Sequence, residues 1–167
     1  MANAIRSANL VKDTTYFLKS FLKTNITDPI TANRPSTSNF ISTSYPSADK
    51  KVVFPMITIV DRNSSDIKLG MQSEQRQVVV RCEIRVWGST VKERDEISDE
   101  IYNDIRDNEI TASTGFKDNG LHDLRLVSRV NIDEPNIKSK VMEYDFLYYT
   151  TWGGWNDKIY QKIIIKN

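Results

Sequence analysis

From Gln77 to Trp87 the chain alternates between two faces. Val78, Val80, Cys82, Ile84 and Val86 stand against Val79, Arg81, Glu83, Arg85 and Trp87. A period of two held this long predicts a strand with one buried face and one face open to solvent or a partner. Gly88 breaks the strand, and Thr90 followed by Glu93 reads as a capping box that opens a helix over 90–107. Ile97, Ile101 and Ile105 recur at intervals of four, so they share one face, which packs on the sheet. The open strand face offers charges and a tryptophan but no group suited to catalysis. The expectation is an assembly subunit and not an enzyme.

The remaining segments fill in a fold around that unit. Residues 7–23 read as a first helix, with Leu10 or Val11, Thr14, Leu18, Phe21 and Leu22 at helical spacing. Residues 25–51 are rich in Ser, Thr, Asn and Pro, with sparse apolar residues Phe40, Ile41 and Tyr45. A loop of this length is either a surface insertion or an arm that docks on a neighbouring subunit through Phe40 and Tyr45. Val52–Val60 is a strand interrupted by Pro55, which places it at an edge or starts it after the proline. The polar stretch 61–75, containing Asp66, Lys68 and Gly70, reads as an unusually long hairpin loop projecting toward a partner.

Gly115 and Gly120 mark a loop after the second helix. Leu124, Leu126, Ser128, Val130 and Ile132 then alternate with Arg125, Val127, Arg129 and Asn131 up to Pro135. Met142, Tyr144, Phe146, Tyr148, Thr150 and Trp152 form one face of the next strand, Glu143, Asp145, Leu147 and Tyr149 the other. Gly153 and Gly154 stop it, and Ile159, Ile163 and Ile165 alternate with Lys158, Lys162 and Lys166 in a terminal edge strand or arm over 156–167. The expected fold class is α+β: a single antiparallel-rich mixed sheet with two helices on one face, a long N-terminal loop and the C-terminal strand or arm. The whole chain forms one domain with its core at about residues 5–152. The open sheet face is expected to hold Arg81, Glu83, Arg85, Arg125, Arg129, Glu143 and Asp145, with Trp87 and Tyr149 as aromatic anchors of the kind enriched at interfaces.

Composition narrows the function classes. The 167 residues suffice for one domain with a proper core. The 23 basic and 22 acidic side chains nearly cancel, so net charge gives no support to a nucleic-acid binder. No apolar run approaches a membrane span, and Met1–Arg6 lacks the pattern of a secretory leader. The single Cys82 fits synthesis in a reducing compartment. Cys82 shares the parity of Val80 and Ile84, which marks it as an inert core thiol.

His122, the sole histidine, stands at a strand start and reads as a surface residue. Zinc sites of Cys and His are excluded by count. Glu93, Asp95, Glu96, Asp99, Glu100 and Asp104 mostly lie opposite the isoleucine stripe and read as a solvated acidic face. No phosphate-binding glycine loop is present. No cofactor is expected.

One resemblance emerges from the order of these elements. Phe54-Pro55 within Val52–Val60, a long-tipped return to a strand ending Val86-Trp87, and a helix with Arg94 and spaced isoleucines resemble the tail-terminator and tail-completion (neck) proteins of tailed bacteriophages. It covers roughly residues 5–152, and the long 25–51 segment and the tail beyond Gly154 depart from it. The resemblance implies a structural virion protein made in the host cytoplasm: a hexameric ring that ends the tail tube and forms the head–tail joint. Its partners would be further copies of itself, the tail tube protein and a head-tail connector or head-completion protein. DNA would only pass through the lumen, and no membrane is involved. Interface residues on this expectation are Trp87, Tyr149, Arg81, Arg85, Arg125, Arg129, Phe40 and Tyr45, with Asp66 and Lys68 reaching the tube. The alternatives are a head-completion or adaptor protein contacting the portal, or a small ligand-binding or enzymatic α+β domain.

Overall fold

The computed structural model describes residues 9–45, 52–69, 75–109, 116 and 120–151. The first apolar run closes into helix α1 (Leu10–Asn25), which buries Thr14, Phe17, Leu18, Phe21 and Leu22 along one stripe. Ile26 leaves the helix in extended backbone while its N–H still reaches the Leu22 carbonyl at 2.8 Å. A short 3-10 turn at Thr31–Asn33 leads to strand β1 (Ile41–Ser42). Strands β2 (Met56–Lys68) and β3 (Gln75–Gly88) follow, with β2 beginning directly after Pro55.

Helix α2 (Val91–Glu109) opens as its sequence predicts, with a shift of one residue in one half of the box. Thr90 Oγ1 accepts from the Glu93 N–H at 3.2 Å, while the Glu93 carboxylate reaches back to the N–H of Ser89 at 2.8 Å. Strands β4 (Asp123–Glu134) and β5 (Ile137–Thr151) then form a tight hairpin.

The five strands make one mixed sheet in the order β1-β2-β3-β5-β4. All neighbours are antiparallel except β1, which runs parallel to β2 through Ile41 and Ser42. Val80, Cys82, Ile84 and Val86 of β3 are wholly buried, and so are Ile57, Ile59, Met142 and Phe146 beside them. Onto this layer α1 brings Phe17, Leu18 and Leu22, and α2 brings Ile97, Ile101 and Ile105. Phe116 closes the gap, in edge contact with Phe17 and tilted contact with Phe146. Both helices therefore cover one face, and the fold is α+β.

Three features depart from the sequence expectation. First, the polar residues 61–68 are not a loop but the second half of β2, paired with Arg76–Cys82 of β3. Asp, Asn and Ser have poor strand propensity, yet an extended template of β-branched residues on β3 overrides it.

Second, two β-bulges shift the phase of the side chains. In β2, Asp61 pairs with Cys82 and Asn63 with Arg81, leaving Arg62 extra. In β4, Leu126 pairs with Tyr144 and Ser128 with Glu143, leaving Val127 extra. Arg129 is thereby moved off the open face to the helix side. There it pairs with Asp99 and lies 5.5 Å from the Tyr102 ring. Val130 and Ile132 take the open-face phase instead.

Third, Glu83 is buried, 1% exposed, not on an open surface. The carboxylates of α2 are largely exposed as expected, although Asp95 pairs with Arg94 and Lys140, and Asp99 with Arg129. The expected loop tip at Gly70, the loop at Gly115, Trp152 and the arm over 156–167 lie outside the described residues.

Candidate functional site

The face of the sheet away from the helices is the surface that the sequence singled out. Its long axis is set by β3, whose odd-numbered residues Gln77, Val79, Arg81, Glu83, Arg85 and Trp87 all point there. Trp87 and Gln77 are ten positions apart, so the face runs for roughly 33 Å along the strand.

At one end, Trp87 is half-buried and anchored on three sides. Its Nε1 donates to Thr58 Oγ1 at 3.0 Å, the Arg85 guanidinium lies 3.8 Å above its ring, and Tyr45 meets it edge-on at 6.4 Å. Arg85 is in turn fixed by Ser139 Oγ, at 3.2 Å from Nε and 2.9 Å from Nη2.

Next along the strand, Glu83 collects the Tyr45 hydroxyl at 2.7 Å and Arg62 Nε at 2.6 Å, with Arg62 Nη2 also donating to it. Burial first, and then the Glu83 carboxylate, push the Tyr45 hydroxyl above its ordinary value. The bulge at Arg62 is what aims its guanidinium at Glu83.

The centre is a ladder of matched charges. Arg81 grips Asp145 through two parallel hydrogen bonds, 2.7 Å from Nε and 2.9 Å from Nη2, which raises the pKa of the guanidinium further. Arg125 faces Asp145 from β4, and Ser128 Oγ donates to Glu143 at 2.9 Å. With Arg81 41% exposed, its pair is worth about 0.2–1 kcal/mol. At the far end, Tyr149 is exposed, and its ring stands edge-on to His122 with centroids 4.5 Å apart. His122 is a surface residue as expected, tied to β5 by its N–H to the Leu147 carbonyl.

The expected interface residues therefore fall into four groups. Trp87, Arg85 and Tyr45 cluster at one end, Arg81 and Arg125 hold the centre, Tyr149 stands at the other end, and Arg129 sits on the opposite face. Asp66 and Lys68 lie on the distal half of β2, where Arg76 Nη1 donates to Asp66 at 2.7 Å. Phe40 and Tyr45 both engage their own chain, Phe40 against the core and under Arg34, 5.3 Å from its ring centre.

Arg34 was missed in the sequence, yet it clamps the long N-terminal segment. It reaches Asp28 at 2.5 and 3.0 Å, the Val53 carbonyl at 3.1 Å and the Pro55 carbonyl at 2.5 Å. A signal existed: between Lys23 and Asp49, Asp28 and Arg34 are the only charged residues.

The sequence matches no protein-family model and no curated protein. Among the described residues, no group of three His, Cys, Asp or Glu is placed to hold a metal ion, and no helix is long and apolar enough to cross a membrane. Burial pushes the Cys82 thiol up to about 12, so it is protonated at neutral pH and a poor nucleophile. A shallow cleft of about 130 Å³ lies between α2 and β4, bounded by Tyr102, Arg106, Leu126 and the buried Tyr144. Among the described residues the buried Tyr144 hydroxyl has no hydrogen-bond partner. The open face can present an aromatic anchor and a plane of paired charges.

Proposed function

We propose that the chain is a structural subunit of the bacteriophage neck, assembling into a ring that ends the tail tube and joins it to the head. The observation that carries this is the sheet face away from the helices: neither helix covers it, Arg81 and Arg62 on it are matched with Asp145 and Glu83, and aromatic side chains stand at its two ends. Paired charges and half-exposed aromatics suit a surface that packs on other subunits or lines a passage. Arginines already satisfied by carboxylates hold DNA weakly, as a conduit requires. The order of helix, strand pair, helix and strand pair also agrees with the resemblance in the sequence. Heterologous contacts between successive copies close into a ring when their rotation closes.

The test is light scattering of the purified chain across a concentration series, followed by mixing with polymerising tail tube protein. The expected results are growth toward a hexamer of the 19.2 kDa chain and tubes of arrested length. A chain that stays monomeric at every concentration and leaves tube lengths unchanged would overturn the proposal.

A further inference from the structure

Strand β4 is the last strand of the sheet, and among the described residues no strand pairs with its outer side. The Val127 bulge divides it, and past the bulge Ser128–Glu134 pairs with β5 residue for residue. The Ile132 carbonyl accepts from Ser139 Oγ, on the paired residue of β5, at 2.9 Å, so it turns inward. Inward and outward groups alternate in an antiparallel ladder, and Arg129, Asn131 and Asp133 therefore turn their N–H and C=O groups outward. On the face away from the helices, Val130 and Ile132 are 51% and 41% exposed, at positions where sheet edges usually carry charge. On the helix side Arg129 and Asp133 are already engaged by Asp99 and Arg94 of their own chain. Helix α2 packs on β3 and β5, inward of this edge.

This stretch is its own complement. Laid antiparallel on a second copy with Asn131 against Asn131, it sets Val130 of each copy against Ile132 of the other. Arg129 then meets Asp133, Ser128 meets Glu134, and no like charges face each other. The outward groups of Arg129, Asn131 and Asp133 meet the same groups of the second copy, for about six backbone hydrogen bonds. Neighbouring registers are poorer. A shift of two residues one way sets Val130 against Glu134, and the other way sets Ile132 against Ser128 and draws the Val127 bulge into the ladder. We propose that two copies of the chain join through the outer edge of β4, antiparallel about a two-fold axis beside Asn131, with Val130 of each against Ile132 of the other.

The two five-stranded sheets then form one continuous sheet, with the helices of both copies on the same side. Such a contact is isologous and closes at two copies, whereas the contacts of the proposed ring are heterologous. It therefore goes beyond that reading and does not rest on it. Seven residues from each copy make a small interface, so the expected dissociation constant is on the order of micromolar.

The experiment joins disulfide trapping to sedimentation across a concentration series. In Asn131→Cys the new thiols face each other at the axis, and the native Cys82 is wholly buried. In Glu134→Cys the corresponding thiols stand about 20 Å apart. Expected is a disulfide-linked dimer of twice 19.2 kDa from Asn131→Cys, formed about tenfold faster or more than from Glu134→Cys. Val130→Lys with Ile132→Lys sets like charges opposite each other and should weaken dimerisation about tenfold or more, while Val130→Lys with Ile132→Glu sets opposite charges there and should restore it. Trapping no faster at 131 than at 134 overturns the proposal, and so does a dimer that is equally tight in both double variants. Should the lysine variants not fold, the trapping comparison decides alone. Rings and arrested tubes from a chain that does not trap at 131 would leave the proposed function standing without this contact, and a trapped dimer that arrests no tubes would leave the contact standing without the function.

Discussion

Glu83 shows how one residue ties distant parts of the chain together. It accepts from Tyr45, 38 residues away, and from Arg62, 21 residues away. Nothing in the alternation of β3 could announce its burial, because both covering groups come from elsewhere. Replacing Glu83 with Ala strands the Tyr45 hydroxyl and unseats Arg62, and should cost about 2–3 kcal/mol in a urea titration. Arg62 is 46% exposed, so the lost hydrogen bonds account for more of this than the ion pair does. Glu83→Gln should cost about half as much, and an unchanged midpoint for Glu83→Ala would show that the loop is held by other contacts.

Asp28 gives a prediction with a pH signature. Its hydrogen bond from Arg34 holds its carboxyl below the ordinary 3.8, with burial opposing. A carboxylate depressed in the folded state adds stability above the unfolded value, and this is lost as pH falls through the folded one. Asp28→Asn should therefore lower stability by about 1–3 kcal/mol at neutral pH. The difference from the parent chain should shrink below pH 3.8. A gap of constant size from pH 7 to pH 3 would refute the role of the ionised pair.

Among elements, those that repeat one spacing were legible and those that break it were not. The parity of β3 placed Arg81, Arg85 and Trp87 on the right face, and the stripe of Ile97, Ile101 and Ile105 placed α2 on the other. Thr90 and Glu93 fixed the start of that helix to within a residue. The bulges were invisible, because Arg62 and Val127 look like ordinary members of an alternating run. Carrying the alternation of β4 through Val127 put Arg129 on the wrong face, and reading Asp, Asn and Ser as a loop hid half of β2.

Deleting Val127 alone tests the bulge directly. It should return Arg129 and Asp133 to the open face, away from Asp99 and Arg94, at a cost of about 3 kcal/mol or more by thermal unfolding. Val127→Ala keeps the residue count and removes only an exposed side chain, so it should stay within about 0.5 kcal/mol of the parent. Equal effects of the two changes would mean that phase is not what the extra residue supplies.

For the whole molecule, the decisive property is that charge is balanced locally as well as in total. Arg81 and Asp145 neutralise each other where the sheet is most open, so the chain should hold duplex DNA only weakly at physiological salt. Asp145→Asn releases Arg81 and leaves Arg125 without the carboxylate opposite it. Affinity measured by fluorescence anisotropy at low salt should rise about tenfold or less, with a steeper dependence on salt concentration. Tight binding by the unaltered chain would contradict a self-neutralised face.

The distal half of β2 has a further consequence. Residues 61–69 are exposed throughout and run along β3 to the far end of the pair, so core packing does not fix their number. Two residues added to each strand lengthen the pair by about 6.6 Å and leave every side chain facing as before, whereas a single added residue inverts them. The reach of the hairpin is thus an adjustable dimension with a built-in step. Related chains are expected to differ in length here in even numbers, like the teeth of a ratchet.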